Sequence, residues 1–180
     1  MLWNGTAITD LGTLGGTNSG ALSINNAGQI VGSSSLTGDD FTHAVLWDAN
    51  TAVVTDLGSL GTDSSAFFIN NAGQIVGSST LADGSGHATL WDGNNIIDLN
   101  NFLPAEFATA GWVLFQGNAI SDNGIIVGWA LNGPDPNTAA YGSFKLTPVP
   151  AAVPVPGAVW LFGSGLAGLI SMKRRKQTVI

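Results

Sequence analysis

The chain has 180 residues, no cysteine and only 9% charged residues, against about 25% in a typical soluble domain. One lysine against twelve acidic residues gives residues 1–172 a net charge of −11, because the other four basic residues lie at 173–176. Disulfides and thiolate metal sites are therefore excluded. Binding to nucleic-acid phosphates is disfavoured, so we expect no nucleic-acid partner.

Internal repeats fill the body of the chain. The residues from 24 to 34 recur letter for letter at 69 to 79, and a looser copy begins at Ile120. A His-Ala-x-Leu-Trp-Asp element starts at His43 and returns at His87, 44 residues later. Self-similarity at a fixed period is typical of repeat architectures, in which each unit packs against its neighbours.

The repeats divide the predicted β repeat domain, residues 1–147, into four parts. Residues 2–12 align with 46–58, the second half of a repeat, and so form a half blade. Repeats of about 13–58 and 59–100 follow, and residues 101–147 form an atypical terminal repeat. A terminal repeat is expected to differ from the others because it caps the stack.

Each full repeat is predicted to be four short antiparallel strands. In the first repeat one strand ends near Ile24, and the others cover 29–33, 43–47 and 52–57. The Asn-Asn-Ala-Gly segment between the first two is turn chemistry. No apolar period of 3.6 residues is long enough for a helix in the body. The predicted fold is therefore all-β.

The size of the repeat indicates the architecture. Four strands in about 45 residues is the scale of a β-propeller blade, and closed propellers have about four to eight blades. We therefore predict an incomplete array of propeller-like, four-stranded antiparallel blades that leaves an open sheet edge. Because the array begins in mid-repeat and residues 1–5 lack the features of an export leader, we also expect further repeats and a signal peptide upstream.

These motifs resemble the HAF family of bacterial extracellular repeats. The matching blocks, which span nearly all of residues 2–147, are Asp-Leu-Gly-Thr-Leu-Gly-Gly at 10–16, Asn-Asn-Ala-Gly-Gln-Ile-Val-Gly at 25–32 and 70–77, and Phe-Lys-Leu-Thr-Pro at 144–148. The His-Ala-Phe triplet that names the family reads His-Ala-Val at 43–45 and His-Ala-Thr at 87–89. The resemblance implies an exported, propeller-like surface domain and carries no catalytic residues.

The composition changes abruptly after Leu146. Four prolines predict an extended linker at 148–156. Residues 157–172 carry no charge, and as a helix they would reach about 24 Å, near the short limit for a hydrocarbon core of about 30 Å. We expect a C-terminal transmembrane helix with the basic run in the cytoplasm and the repeats outside. The alternative is a buried core helix.

The layout of the tail, over 157–176 and the prolines before it, resembles the PEP-CTERM sorting signal. Many members have Glu between the prolines, where this chain has Val155. The resemblance implies processing by an exosortase, a membrane transpeptidase-like protease that cuts near the prolines. It also implies the inner membrane as a transient partner of the precursor, an exopolysaccharide as a partner, and a final place at the cell surface or in the extracellular matrix. The sorting-signal residues are Val153, Pro154, Val155, Pro156, Lys173, Arg174, Arg175 and Lys176.

Repeated His and Asp residues are candidates for metal or acid–base chemistry. His43 and His87 share one repeat position, and Asp10, Asp56 and Asp98 share another. No third His exists, and no Asp-x-Asp-x-Asp-Gly calcium loop is present. We therefore expect structural roles: imidazoles that bind loop carbonyls at strand starts, and aspartates that serve turns.

Tryptophans also follow the repeat. Trp3, Trp47 and Trp91 share one position, and Trp112 and Trp129 follow later in the chain. Aromatic rows can stack on sugar rings, but we favour packing between blades.

No nucleophile elbow, phosphate loop or zinc-protease motif occurs in the chain. We therefore predict no enzyme and no catalytic, cofactor-binding or metal residues. The predicted function is an exported surface protein, a structural or binding component of the envelope or matrix. The alternative is a propeller-type polysaccharide-acting enzyme whose catalytic blades are missing from this chain.

Overall fold

The computed structural model describes residues 2–3, 5, 8–51, 53–133 and 139–148. These residues belong to one compact unit, Met1–Pro148. The predicted linker beyond Pro148 and the predicted transmembrane helix lie outside them. Within the described ranges no helix is long and apolar enough to cross a membrane.

The described residues form antiparallel sheets whose strands follow chain order. A short two-stranded sheet precedes two four-stranded sheets and one three-stranded sheet. The first sheet contains β3 (Gly15–Ile24), β4 (Gln29–Leu36), β5 (Thr42–Asp48) and β6 (Val54–Gly58). The second contains β7 (Ser64–Ile69), β8 (Ile75–Thr80), β9 (Gly86–Asp92) and β10 (Asn95–Asp98). The third contains β11 (Trp112–Ile120), β12 (Ile126–Asn132) and β13 (Ala140–Leu146).

The prediction of a β fold with four-stranded antiparallel sheets is confirmed. The short pair β1 (Leu2–Trp3) and β2 (Ile8–Thr9) joins Leu2 to Thr9. In the first sheet the corresponding pair joins Leu46 to Thr55. The half repeat thus has the same backbone register as the full one.

The prediction of a body without helix is wrong for one short stretch. A 3-10 helix at Leu99–Phe102 is followed by α1 (Ala105–Thr109), which begins after Pro104. Pro104 suits this place because its fixed φ and missing N–H are tolerated at a helix start. Five residues are too few to show a helical period, so the hydrophobic pattern gave no sign of α1.

The sheets pack face to face in a row. Strand β7 lies against β3, β4 and β5 of the first sheet, and β11 lies against β7, β8 and β9 of the second. Among the described residues the row does not close into a ring.

Apolar layers separate the sheets. Because side chains alternate along a strand, Ile30 faces one side of the first sheet and Val31 the other. The layer between the first two sheets contains Val31, Ala44, Ala66, Ile69, Ile75 and Trp91. The next layer contains Val76, Ala88, Leu99, Leu114, Ile120, Ile126 and Ala130. Trp47 and Trp91 are each only 2% exposed, so the prediction that both are buried is confirmed.

The glycine of the Ile-Val-Gly motif is required by space. A Cβ at Gly32 would lie 1.9 Å from the carbonyl oxygen of Gly20, and one at Gly77 would lie 1.9 Å from that of Ser65. At Gly128 the distance to the carbonyl oxygen of Gln116 would be 2.0 Å. The pairing register shifts near each of these contacts, which brings the neighbouring strand too close for any side chain.

Candidate functional site

The first asparagine of each repeated turn links neighbouring sheets. Within its own turn, the Oδ1 atom of Asn25 accepts hydrogen bonds from the backbone N–H groups of Ala27 and Gln29. Its Nδ2 group donates to the Gln29 side chain at 2.7 Å and to the carbonyl of Asn70, in the next sheet, at 3.1 Å. Asn70 repeats the pattern and donates to the carbonyl of Ser121 at 3.0 Å. Asn70 is buried, so these bonds replace water that it has lost.

The second residue of each turn adds a parallel set of bonds. The N–H of Asn26 donates to Oδ1 of Asn71 at 3.0 Å. The N–H and Nδ2 groups of Asn71 donate to the Asp122 carboxylate at 2.9 and 3.0 Å. Both hydrogen bonds from Asn71 hold the pKa of the Asp122 carboxyl below its ordinary value. The side-chain bond has the larger effect and the backbone bond the smaller one. We call these six residues, Asn25, Asn26, Asn70, Asn71, Ser121 and Asp122, the turn ladder.

The turn ladder ends at the third sheet. Ser121 has no amide to donate onward; its hydroxyl group bonds within its own turn, to the side chain of Asn123 and the carbonyl of Ile125. The sequence identified the asparagines as turn residues but not as links between sheets. The signal that could have revealed this was their recurrence together with the glutamine four positions later.

The repeated histidines bind the repeated aspartates. Nδ1 of His43 lies 2.9 Å from both carboxylate oxygens of Asp56, and its Nε2 lies 3.1 Å from the carbonyl oxygen of Thr62. The prediction that this imidazole meets a loop carbonyl is confirmed. Nδ1 of His87 lies 2.7 Å from Asp98. Sequence spacing grouped these residues by position but did not show that they pair.

The environment of Asp98 has opposing effects on its pKa. Burial raises the pKa, but hydrogen bonds from His87 and from the backbone and side chain of Asn100 outweigh it and hold the pKa below its ordinary value. The same carboxylate caps the 3-10 helix through the N–H of Asn100 at 2.8 Å. Within the described part of the chain, no group of three or more His, Cys, Asp or Glu side chains is placed to hold a metal ion.

The tryptophans divide into two environments. The indole N–H of Trp47 donates to the carbonyl of Gly12 at 3.3 Å. The buried Nε1 of Trp91 has no hydrogen-bond partner among the described residues. The core interpretation is correct for both: Trp91 packs between the first two sheets, and Trp47 packs on the other side of the first sheet against Leu11 and Leu14. For Trp129 the core interpretation is wrong, because its side chain is 49% exposed.

Trp129 belongs to an exposed aromatic surface on the third sheet. Strand alternation places six side chains on the outer face of β12 and β13, where Trp129 pairs with Ser143 and Val127 pairs with Lys145. Leu131 is buried, and the other five are exposed. The rings of Trp129 and Tyr141 are perpendicular, at 85°, with their centroids 6.5 Å apart. They border an open cavity of about 470 Å³. We call this surface the terminal face; its residues are Val127, Trp129, Tyr141, Ser143 and Lys145.

The predicted sorting-signal residues lie outside the described residues, so sequence comparison is the evidence for them. Residues 152–176 match the PEP-CTERM protein-sorting motif. This match supports an exported, exosortase-sorted protein that is directed to the cell surface. No curated protein and no solved structure was found to match the chain. The resemblance of the body to HAF repeats therefore stays a prediction.

Proposed function

We propose that the chain is a non-catalytic surface protein whose propeller-like, HAF-type repeats form a structural or binding component of the envelope or extracellular matrix. The observation that carries this proposal is the PEP-CTERM motif at 152–176, which follows a β repeat body. A sorting motif of this kind directs a protein to the cell surface, and the repeat body is the part that is displayed there.

The arrangement of the sheets supports kinship with propellers. Each four-stranded sheet is a simple meander, and the first strand of the following sheet packs on its face. Blades of a propeller are also four-stranded sheets stacked in this manner. The matching register of the half repeat and the first full repeat supports the same assignment.

The use of the repeated polar groups supports a scaffold role. Asn25 and Asn70 join neighbouring sheets, and His43 and His87 are each bound to an aspartate. Both ring nitrogens of His43 have partners within the fold, the Asp56 carboxylate and the Thr62 carbonyl. Repeated polar groups that bind within the repeat body support a scaffold.

The tail would bring the protein to the surface in two steps, membrane insertion and cleavage. Residues 157–172 are uncharged and would form a transient membrane helix, oriented by the basic run that follows. Exosortase would cut near Pro154–Gly157 and release the body from this helix. The helix is therefore a sorting element that is cleaved off, and not a permanent anchor.

Mass spectrometry of the surface fraction tests this proposal in a host that has an exosortase. We expect mature protein without residues 173–176 and with a new C-terminus near Pro154–Gly157. An exosortase deletion strain should accumulate a longer precursor in the inner membrane. An intact tail in both strains would show an ordinary C-terminal anchor and overturn the sorting proposal.

Replacing Lys173, Arg174, Arg175 and Lys176 with glutamine should reduce processing, because the orientation signal is lost. Lys145→Gln is the matched control, since it removes a positive charge from the repeat body and should leave processing unchanged. Equal processing in both variants would mean that the basic run is not what the machinery recognises.

A further inference from the structure

The terminal face occupies a position that the other sheets use for stacking. Val31 and Val76 are fully buried beneath the sheet that follows each of them. Val127 has the same place in the motif, yet it is 42% exposed. In the described chain, the outer side of the third sheet is thus the counterpart of a buried interface.

Residues of the terminal face prevent another sheet from docking in the same way. Tyr141 occupies in the third sheet the position that Gly86 occupies in the second. The pairing of each residue with the neighbouring strand shows this equivalence. A Cβ at Gly86 would already lie 2.5 Å from the ring of Phe115 in the following sheet. Lys145 stands at the position of Leu90, which packs into the apolar layer beneath the third sheet. A bulky phenol and a charge therefore make this face unsuitable for the repeat interface.

The shape of the terminal face suits a small, flat, partly apolar ligand. Trp129 and Tyr141 form a perpendicular corner, and Tyr141 is 60% exposed. The negative face of an aromatic ring attracts the positively polarised C–H groups on one side of a sugar ring. Ser143, which also borders the cavity, adds a hydrogen-bonding group, and Lys145 lies further along the same face, where it pairs with Val127.

The size of the site favours a sugar over a folded protein. The open cavity of about 470 Å³ lies within the range of about 300–1,000 Å³ for small-ligand sites. A stable protein interface needs about 800 Å² from each partner, which is more than a patch of five side chains offers.

The charge of the body restricts the ligand further. Residues 1–172 carry −11, and Lys145 is the only lysine or arginine in them, so the body repels a polyanion. We infer that the terminal face binds a neutral polysaccharide, with one hexose ring in the corner between Trp129 and Tyr141. This inference rests on the proposed function, because it names the ligand of a displayed binding component.

Affinity electrophoresis and tryptophan fluorescence test the inference on the full chain, kept in a detergent without a sugar headgroup. The probes are soluble neutral glucans, galactans and mannans, with alginate as the acidic comparison. At least one neutral polysaccharide should retard the chain, and added salt should leave the retardation unchanged. The inference is overturned if no neutral probe binds or if alginate binds more tightly.

Variants locate the site. Trp129→Ser and Tyr141→Thr restore residues that the first repeat has at these positions, Ser33 and Thr42, and each should weaken binding about tenfold. Phe41→Ala removes an equally exposed aromatic side chain elsewhere and should change nothing. Circular dichroism checks that each variant is folded. Unchanged binding in both terminal-face variants would contradict the site.

Three outcomes distinguish a failure of this inference from a failure of the proposed function. If Trp129→Ser abolishes self-association of the chain and no sugar binds, the face is a protein interface and the glycan inference is wrong. If sugar binds but the tail is never processed, the sorting proposal fails and the terminal face stands. Normal processing without any sugar binding would overturn the glycan inference alone.

Discussion

The second and third sheets have closely similar motifs at the turn between their first two strands, but their surroundings differ. Val76 is covered by the third sheet, whereas Val127, its counterpart, faces outward. The side chain of Asn70 donates a hydrogen bond to the next turn, whereas the side chain of Ser121 bonds only within its own turn. The shared residues build one sheet. The residues that differ decide whether another sheet can follow.

The largest expected effect on stability comes from replacing the motif glycine, which the sheets share. Gly77→Ala places a Cβ against the carbonyl oxygen of Ser65, so the two strands must separate. We expect a loss of about 3 kcal/mol in the free energy of unfolding. Urea denaturation followed by circular dichroism measures it.

Gly20→Ala is the matched control for this substitution, because nothing lies within 4 Å of the Cβ that it would add. It should leave the free energy of unfolding almost unchanged. Equal losses in Gly77→Ala and Gly20→Ala would show that close approach does not explain the glycine of the motif.

Features set by short stretches of sequence were predictable. The strands of the first two sheets follow from alternation and turn residues, and the burial of Trp47 and Trp91 follows from their shared repeat position. The strands depend on a residue and its close neighbours in the chain, and the repeat marks Trp47 and Trp91 as equivalent positions. They are therefore visible without knowledge of how the sheets pack.

Features set by strand register and by packing between sheets were not predictable. The bond from Asn25 to the next turn depends on how that turn is placed. The exposure of Trp129 depends on whether a sheet covers it. The pairing of His87 with Asp98 depends on the register of β9 with β10. Composition and spacing do not contain these distances.

An intermediate effect tests how the sheets are joined. Asn70→Ser gives the second turn the residue that begins the third. Its hydroxyl group can still serve its own turn, but the bond to the carbonyl of Ser121 is lost. We expect a loss of about 2 kcal/mol in the free energy of unfolding, because the buried Asn70 position also loses its bond to the side chain of Gln74. Chemical denaturation measures it.

Asn26→Ser is the control for the turn ladder. The Asn26 side chain is exposed, and its contribution to the ladder comes from the backbone N–H, which the substitution keeps. A loss as large as that of Asn70→Ser would contradict the view that the first asparagine of each turn is the stronger link.

The smallest effect concerns the His–Asp pair, which the third sheet lacks because Gly142 stands at the position of His87. The pKa of Asp98 is below its ordinary value of 3.8 in the folded chain, so the folded state favours the carboxylate. Its contribution to stability is fully present above about 3.8. The contribution is lost as the pH falls through the lower, folded pKa.

Thermal unfolding of the wild type and of Asp98→Asn, followed across this range, isolates the contribution. The wild type should be the more stable above pH 3.8, and the difference should shrink as the pH falls and Asp98 is protonated. Asp39, Asp83 and Asp122 also have lowered pKa values, but they titrate in both proteins and cancel in the comparison. A difference that stays constant with pH would mean that Asp98 acts through the geometry of its hydrogen bonds and not through its charge. The amide that the substitution introduces has one acceptor oxygen, whereas the carboxylate has two. The amide would then be the poorer hydrogen-bond acceptor at every pH.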